Sequence, residues 1–95
     1  MSFESYNDED KQLITLCDSH MARFKKLGSD KNNAPGNEEY NRLYQVKQSI
    51  LVCSGFANKR DRYLVVPEWK NDIAKAFNVL IKMEWEIIYP QSKHE

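Results

Sequence analysis

Apolar residues recur along this chain at steps of three and four, the spacing of one helix face, and they do so in three segments. In the first, from about Asp8 to Leu27, the residues Leu13, Leu16, Cys17, His20, Phe24 and Leu27 fall on one stripe. Asn7 or Ser5 can cap its start, while Asp8, Glu9 and Asp10 suit the positive end of the helix dipole and Lys25 and Lys26 the negative end. Gly28 is placed to turn the chain out of the helix. Residues Gly28 to Asn37 are then all small, polar or turn-forming, which predicts a solvated, flexible connector.

The second segment, about 38–54, takes Asn37 as its cap and carries Glu38 and Glu39 in its first turn. Tyr40, Leu43, Tyr44, Val46, Ile50, Leu51 and Cys53 cover one broad side of it. Gly55 reads as its stop, with Phe56 folding back on Leu51. Asn58 to Arg62 form a charged connector, and Tyr63-Leu64-Val65-Val66 has strand-like composition without a second such run to pair with. An extended linker packed on the core is the expectation there, because a residue preceding proline is biased away from helix.

The third segment is the most strongly patterned. Pro67 suits the first position of a helix, where its missing N–H costs nothing, and the pattern runs to about Ile88 before Tyr89-Pro90 ends it. Trp69, Ile73, Ala76, Phe77, Leu80, Met83 and Ile87 form a central stripe, widened by Val79 on one side and by Ile81, Trp85 and Ile88 on the other. The polar sector of Asn71, Lys75, Asn78, Lys82 and Glu86 is narrow. An apolar arc this wide exceeds what a surface helix needs, so the helix is either the buried centre of the fold or partly covered by a partner.

The fold class that follows is all-α: a small three-helix bundle, with a long loop between helices 1 and 2 and an extended stretch before helix 3. Ninety-five residues fit a single domain over residues 1–95. The 12% aromatic content belongs to a folding chain rather than a disordered one. No run is long and apolar enough for a membrane span, and the acidic N-terminus lacks the pattern of a secretory signal. Two cysteines in such a context read as reduced thiols and a cytoplasmic location.

Chemistry-bearing constellations are few. Cys17 and His20 share a helix face, and Cys53 and His94 complete the ligand types for zinc, but two closely spaced ligand pairs are not present. Cys17 and His20 therefore read as packing residues rather than as a metal site or a nucleophile–base pair, and no metal or cofactor is expected. The three glycines build no phosphate-binding loop. A net charge of zero weakens the case for a dedicated duplex-DNA binder, whose affinity comes from neutralising phosphates. Lys59, Arg60 and Arg62 beside Tyr63 nevertheless make a small basic patch able to touch phosphate.

Glu84 is the oddity, because it projects from the middle of the apolar arc of the third helix. Either the helix end lifts it into water, or it is a buried acid answered by Arg or Lys on another chain or on this one. Trp85, at the arc's margin, reads either as an interface anchor or as a half-buried core residue.

The functional expectation is a non-enzymatic protein-binding module, a small inhibitor, adaptor or antitoxin-like regulator of bacterial or phage type. Its partner face would be Ile81, Glu84, Trp85 and Ile88, and its partner another protein or a second copy in a homodimer. The alternative is a small nucleic-acid-binding regulator that uses Lys59, Arg60 and Arg62.

Overall fold

A computed structural model describes residues 8–56 and 59–88, with side chains described for 8–52 and 65–88. It contains three helices: α1 (Asp8–Lys26), α2 (Asn37–Phe56) and α3 (Lys59–Ile88). No strand occurs among the described residues. Glu9 of α1 lies against Lys70 of α3 and Arg23 against Glu84, so α1 and α3 run parallel. Asp18 of α1 meets Lys47, and Asp72 of α3 meets Arg42, which sets α2 antiparallel to both.

Burial follows the three stripes. Leu13, Ile14, Cys17 and Phe24 of α1 meet Leu43, Val46 and Ile50 of α2 and Val66, Trp69, Ile73, Ala76 and Leu80 of α3 in one core. Tyr40, Leu51, Phe77, Val79 and Met83 pack around it, each partly covered. Among the described side chains the expected stripes hold with three exceptions, Leu16, Tyr44 and Ile87, which are all substantially exposed; Cys53 lies outside them.

Ile87 shows why. It has the right angular position, but Met83, one turn earlier, already lies against Gly36 at the start of α2. The last turn of α3 therefore runs past the start of α2. Thirty residues of α3 span about 45 Å, against about 30 Å for α1 or α2.

The expected extended stretch before the third helix is not found: the backbone is helical from Lys59, and Pro67 lies inside α3 rather than at its start. The reason is legible in the stripe itself. Val66, Trp69, Ile73, Ala76 and Leu80 follow at steps of three and four, and all are buried. The apolar face thus reaches back past the proline to Val66, whose burial works against the proline's cost. Pro67 also stands on the exposed side, where water can take the hydrogen bond its missing N–H leaves unmade. The helix α2 likewise runs through Gly55 to Phe56, and the expected Phe56–Leu51 contact lies outside the described side chains.

The connector between α1 and α2 departs from the flexible loop expected. Gly28, with φ of 85°, closes α1 in a Schellman arrangement: the Ser29 N–H donates to the Phe24 carbonyl at 3.0 Å and the Gly28 N–H to that of Lys25 at 2.9 Å. Ser29 is fully buried, and its hydroxyl donates to the Pro35 carbonyl at 2.6 Å. Asn37 was expected to cap α2, but the carbonyl of Gly36 accepts the first helical bond, from Tyr40 N–H at 2.9 Å. The Asn37 amide instead donates back to the Ser29 carbonyl at 2.8 Å. These contacts clamp the two ends of the connector together. Side-chain hydrogen bonding of this kind, rather than composition, decides whether a polar loop is ordered.

Candidate functional site

The helices α1 and α3 are parallel neighbours and pack against each other less than either packs against α2. Between them lies an open, apolar depression of about 310 Å³, lined by Leu13, Leu16, His20, Ile73, Ala74 and Phe77, with Lys70 at its upper end. Leu16, 43% exposed, stands on its α1 wall. From Ala74 and Phe77 the apolar line continues down α3 to Ile81, Trp85 and Ile88, which are 39%, 60% and 64% exposed. At 100° per residue these last three fall within an arc of about 60°, so they form one ridge. Sequence reasoning placed this ridge on the flank of α3, but its link to the α1 groove depends on tertiary packing.

Glu84 is answered within the chain. Arg23 of α1 approaches it as a two-point fork: Nε donates to Oε2 at 2.9 Å, and a terminal nitrogen pairs with Oε1. Both side chains are part-exposed, so neither sits in water alone nor bears the full cost of burial. The hydrogen bond from Arg23 holds the Glu84 carboxyl below its ordinary value, although burial opposes it. The guanidinium carbon of Arg23 also stands 5.6 Å from the centroid of the Phe77 ring. Of the expected partner face, Ile81, Trp85 and Ile88 are thus brought together on an open surface, whereas the carboxylate of Glu84 is engaged by Arg23 beside it.

His20 forms the floor at this point. Its ring stacks on Phe77 with centroids 4.6 Å apart and planes 27° apart. It is buried, and no described protein group bonds to its Nδ1. Burial lowers its pKa, Arg23 lowers it further, and Glu84 opposes the shift. The imidazole is therefore held neutral, as a packing residue against an aromatic ring requires.

Cys17 is fully buried in the core, where burial and the neighbouring Asp18 push its thiol up to about 12, against a smaller pull from Lys47. A thiol in that state supplies no thiolate for attack or metal binding at neutral pH. No group of three or more His, Cys, Asp and Glu side chains able to hold a metal ion occurs among the described residues. Cys53 and His94 lie outside the described side chains, as do Lys59, Arg60, Arg62 and Tyr63 of the basic patch, whose backbone belongs to the first turn of α3.

A polar depression of about 450 Å³ lies at the start of α2, beside Asn33, Asn37, Asn41, Arg42 and Gln45. Its lining holds amides, the carboxylate of Glu38 and the guanidinium of Arg42, with no Ser, Thr, Cys or His among them. It is the mouth of the connector clamp.

Among the described residues no helix is long and apolar enough to cross a membrane. The chain matches no known family model, and no curated protein or solved structure is significantly similar to it.

Proposed function

We propose that this chain is a non-enzymatic protein-binding module, a small inhibitor, adaptor or antitoxin-like regulator, whose docking face is the outer ridge of α3. The observation that carries the reading is the open cluster of Ile81, Trp85 and Ile88. Three large apolar side chains on one arc, continuous with an apolar groove, form the kind of patch that monomers keep small unless it is used. Tryptophan at the edge of such a patch is a preferred interface anchor. Glu84 and Arg23 then form the polar rim of the face. The chemistry beside it favours binding over catalysis, since the buried thiol is inert and the buried imidazole neutral.

The test is retention of protein by the immobilised chain from its native lysate after nuclease treatment, compared between wild type and Trp85→Glu. A protein that survives nuclease and is lost with a folded Trp85→Glu variant supports the reading. Retention that disappears with nuclease, or that is unchanged by Trp85→Glu, overturns it. The first of those outcomes would favour the Lys59, Arg60 and Arg62 patch.

A further inference from the structure

Resting on that reading, we propose that the groove between α1 and α3 takes one amphipathic helix of a partner protein, flanked by acidic side chains. The shape of the face selects a helix. Ala74, Phe77, Ile81 and Ile88 extend along α3 over about 21 Å, which is about four turns of a facing helix. Parallel α1 and α3, with a shallow apolar trough between them, present two ridges on which a third helical rod can seat. A strand has no edge to pair with here, because no strand occurs among the described residues.

The charges of the walls select the flanks. Beyond the apolar line, at about 100° per residue, the α1 wall carries Asp8, Gln12, Ser19 and Lys26, and the α3 wall carries Asn71, Asn78 and Lys82, while at the upper end of the trough Lys70 pairs with Glu9. Asp8 stands at the upper end; below it the walls are neutral or basic, and Lys26 and Lys82 are both exposed. Lys26 follows Arg23 by about one turn of α1, and Arg23 meets Glu84, which places the charge of Lys26 at the groove's lower end. The acids of α3 are turned away or engaged: Glu68 and Glu86 fall on the opposite side, Asp72 meets Arg42, and Glu84 meets Arg23. A partner helix with Glu or Asp on both flanks of its apolar stripe complements these walls. A second copy of this chain complements them less well, because the walls beside its own ridge carry Lys26 and Lys82 against one acid, Asp8.

Two synthetic eighteen-residue helical peptides with the same leucine stripe, one flanked by Glu and one by Lys, test this by titration into isotope-labelled protein followed by NMR. The Glu-flanked peptide is expected to shift Phe77, Ile81 and Trp85, and to bind about tenfold more tightly than the Lys-flanked peptide at low salt. Lys26→Glu/Lys82→Glu is expected to reverse that order. Equal affinity of the two peptides for wild type overturns the acidic partner while leaving the docking face in place. Binding of neither peptide to a protein that sediments as a monomer overturns both readings. A dimer that Ile88→Asp converts to monomer overturns the partner helix in favour of a second copy.

Discussion

Gly36 is the position where the packing of all three helices converges, and an added methyl group there measures that packing. Its φ of 82° lies in the left-handed region, where an alanine costs about 1–2 kcal/mol. A Cβ built on Gly36 would also stand 2.6 Å from Ser29 Oγ, 2.9 Å from Met83 Sδ and 3.0 Å from Phe24 Cδ1. The hydroxyl of Ser29 is already committed to Pro35, so it cannot swing away without breaking that bond. Forcing a methyl group into a packed site adds about 1–3 kcal/mol. Gly36→Ala is therefore expected to destabilise the fold by about 2–5 kcal/mol, the sum of strain and overpacking.

Gly28 provides the internal control. Its φ is 85°, but nothing lies within 4 Å of the Cβ that would be added. Gly28→Ala should carry only the backbone term, about 1–2 kcal/mol. Urea unfolding of both variants, followed by circular dichroism, reads the two costs on one scale. If Gly36→Ala is no more damaging than Gly28→Ala, the connector does not clamp the helices and the packing around Ser29, Phe24 and Met83 is not as described.

Leu80→Ala removes a fully buried side chain from the middle of α3 and should destabilise by about 2–5 kcal/mol, whereas Ile87→Ala, on the overhanging turn, should change the urea midpoint little. Stability should fall with acid in two windows. The pKa of His20 is depressed, so the unfolded chain takes up its proton near the ordinary 6.5 and the folded chain only at lower pH, and stability is lost as pH falls below 6.5; a His20→Phe variant should remove that part of the slope. The pKa of Glu84 is also depressed, so the stability contributed by its pair with Arg23 is present above the ordinary 4.5 and is lost as pH falls through the lower folded value; Glu84→Gln should flatten that part. In a Cys53→Ser background, Cys17 should stay unreactive toward a thiol reagent in native buffer and become reactive in urea; fast native labelling would contradict its burial.

The pattern of apolar steps was sufficient to locate the three helices and most of their buried faces, because Leu13, Phe24, Leu43, Ile50, Ile73 and Leu80 bury where a 3.6-residue period puts them. Two local rules misled where tertiary packing won. Pro67 reads as a helix start, yet Val66 continues the stripe behind it and is buried. The connector reads as flexible from its composition, yet the hydroxyl of Ser29 and the amide of Asn37 tie it to its own ends. For the candidate site, the ridge of Ile81, Trp85 and Ile88 was visible as surplus apolar arc. The partner of Glu84 was not, because Arg23 lies 61 residues away and no local spacing joins them.

The central claim is that the outer ridge of α3 is surplus to the fold and is left for a partner. The free energy of unfolding of Ile81→Asp/Ile88→Asp, measured by urea denaturation, tests it most directly. Surface positions tolerate such changes to within about 0.5 kcal/mol, so the double variant should unfold at nearly the parent's midpoint with the same slope. A loss of about 2 kcal/mol or more would mean that Ile81 and Ile88 belong to the core, and that the ridge is not an open docking face.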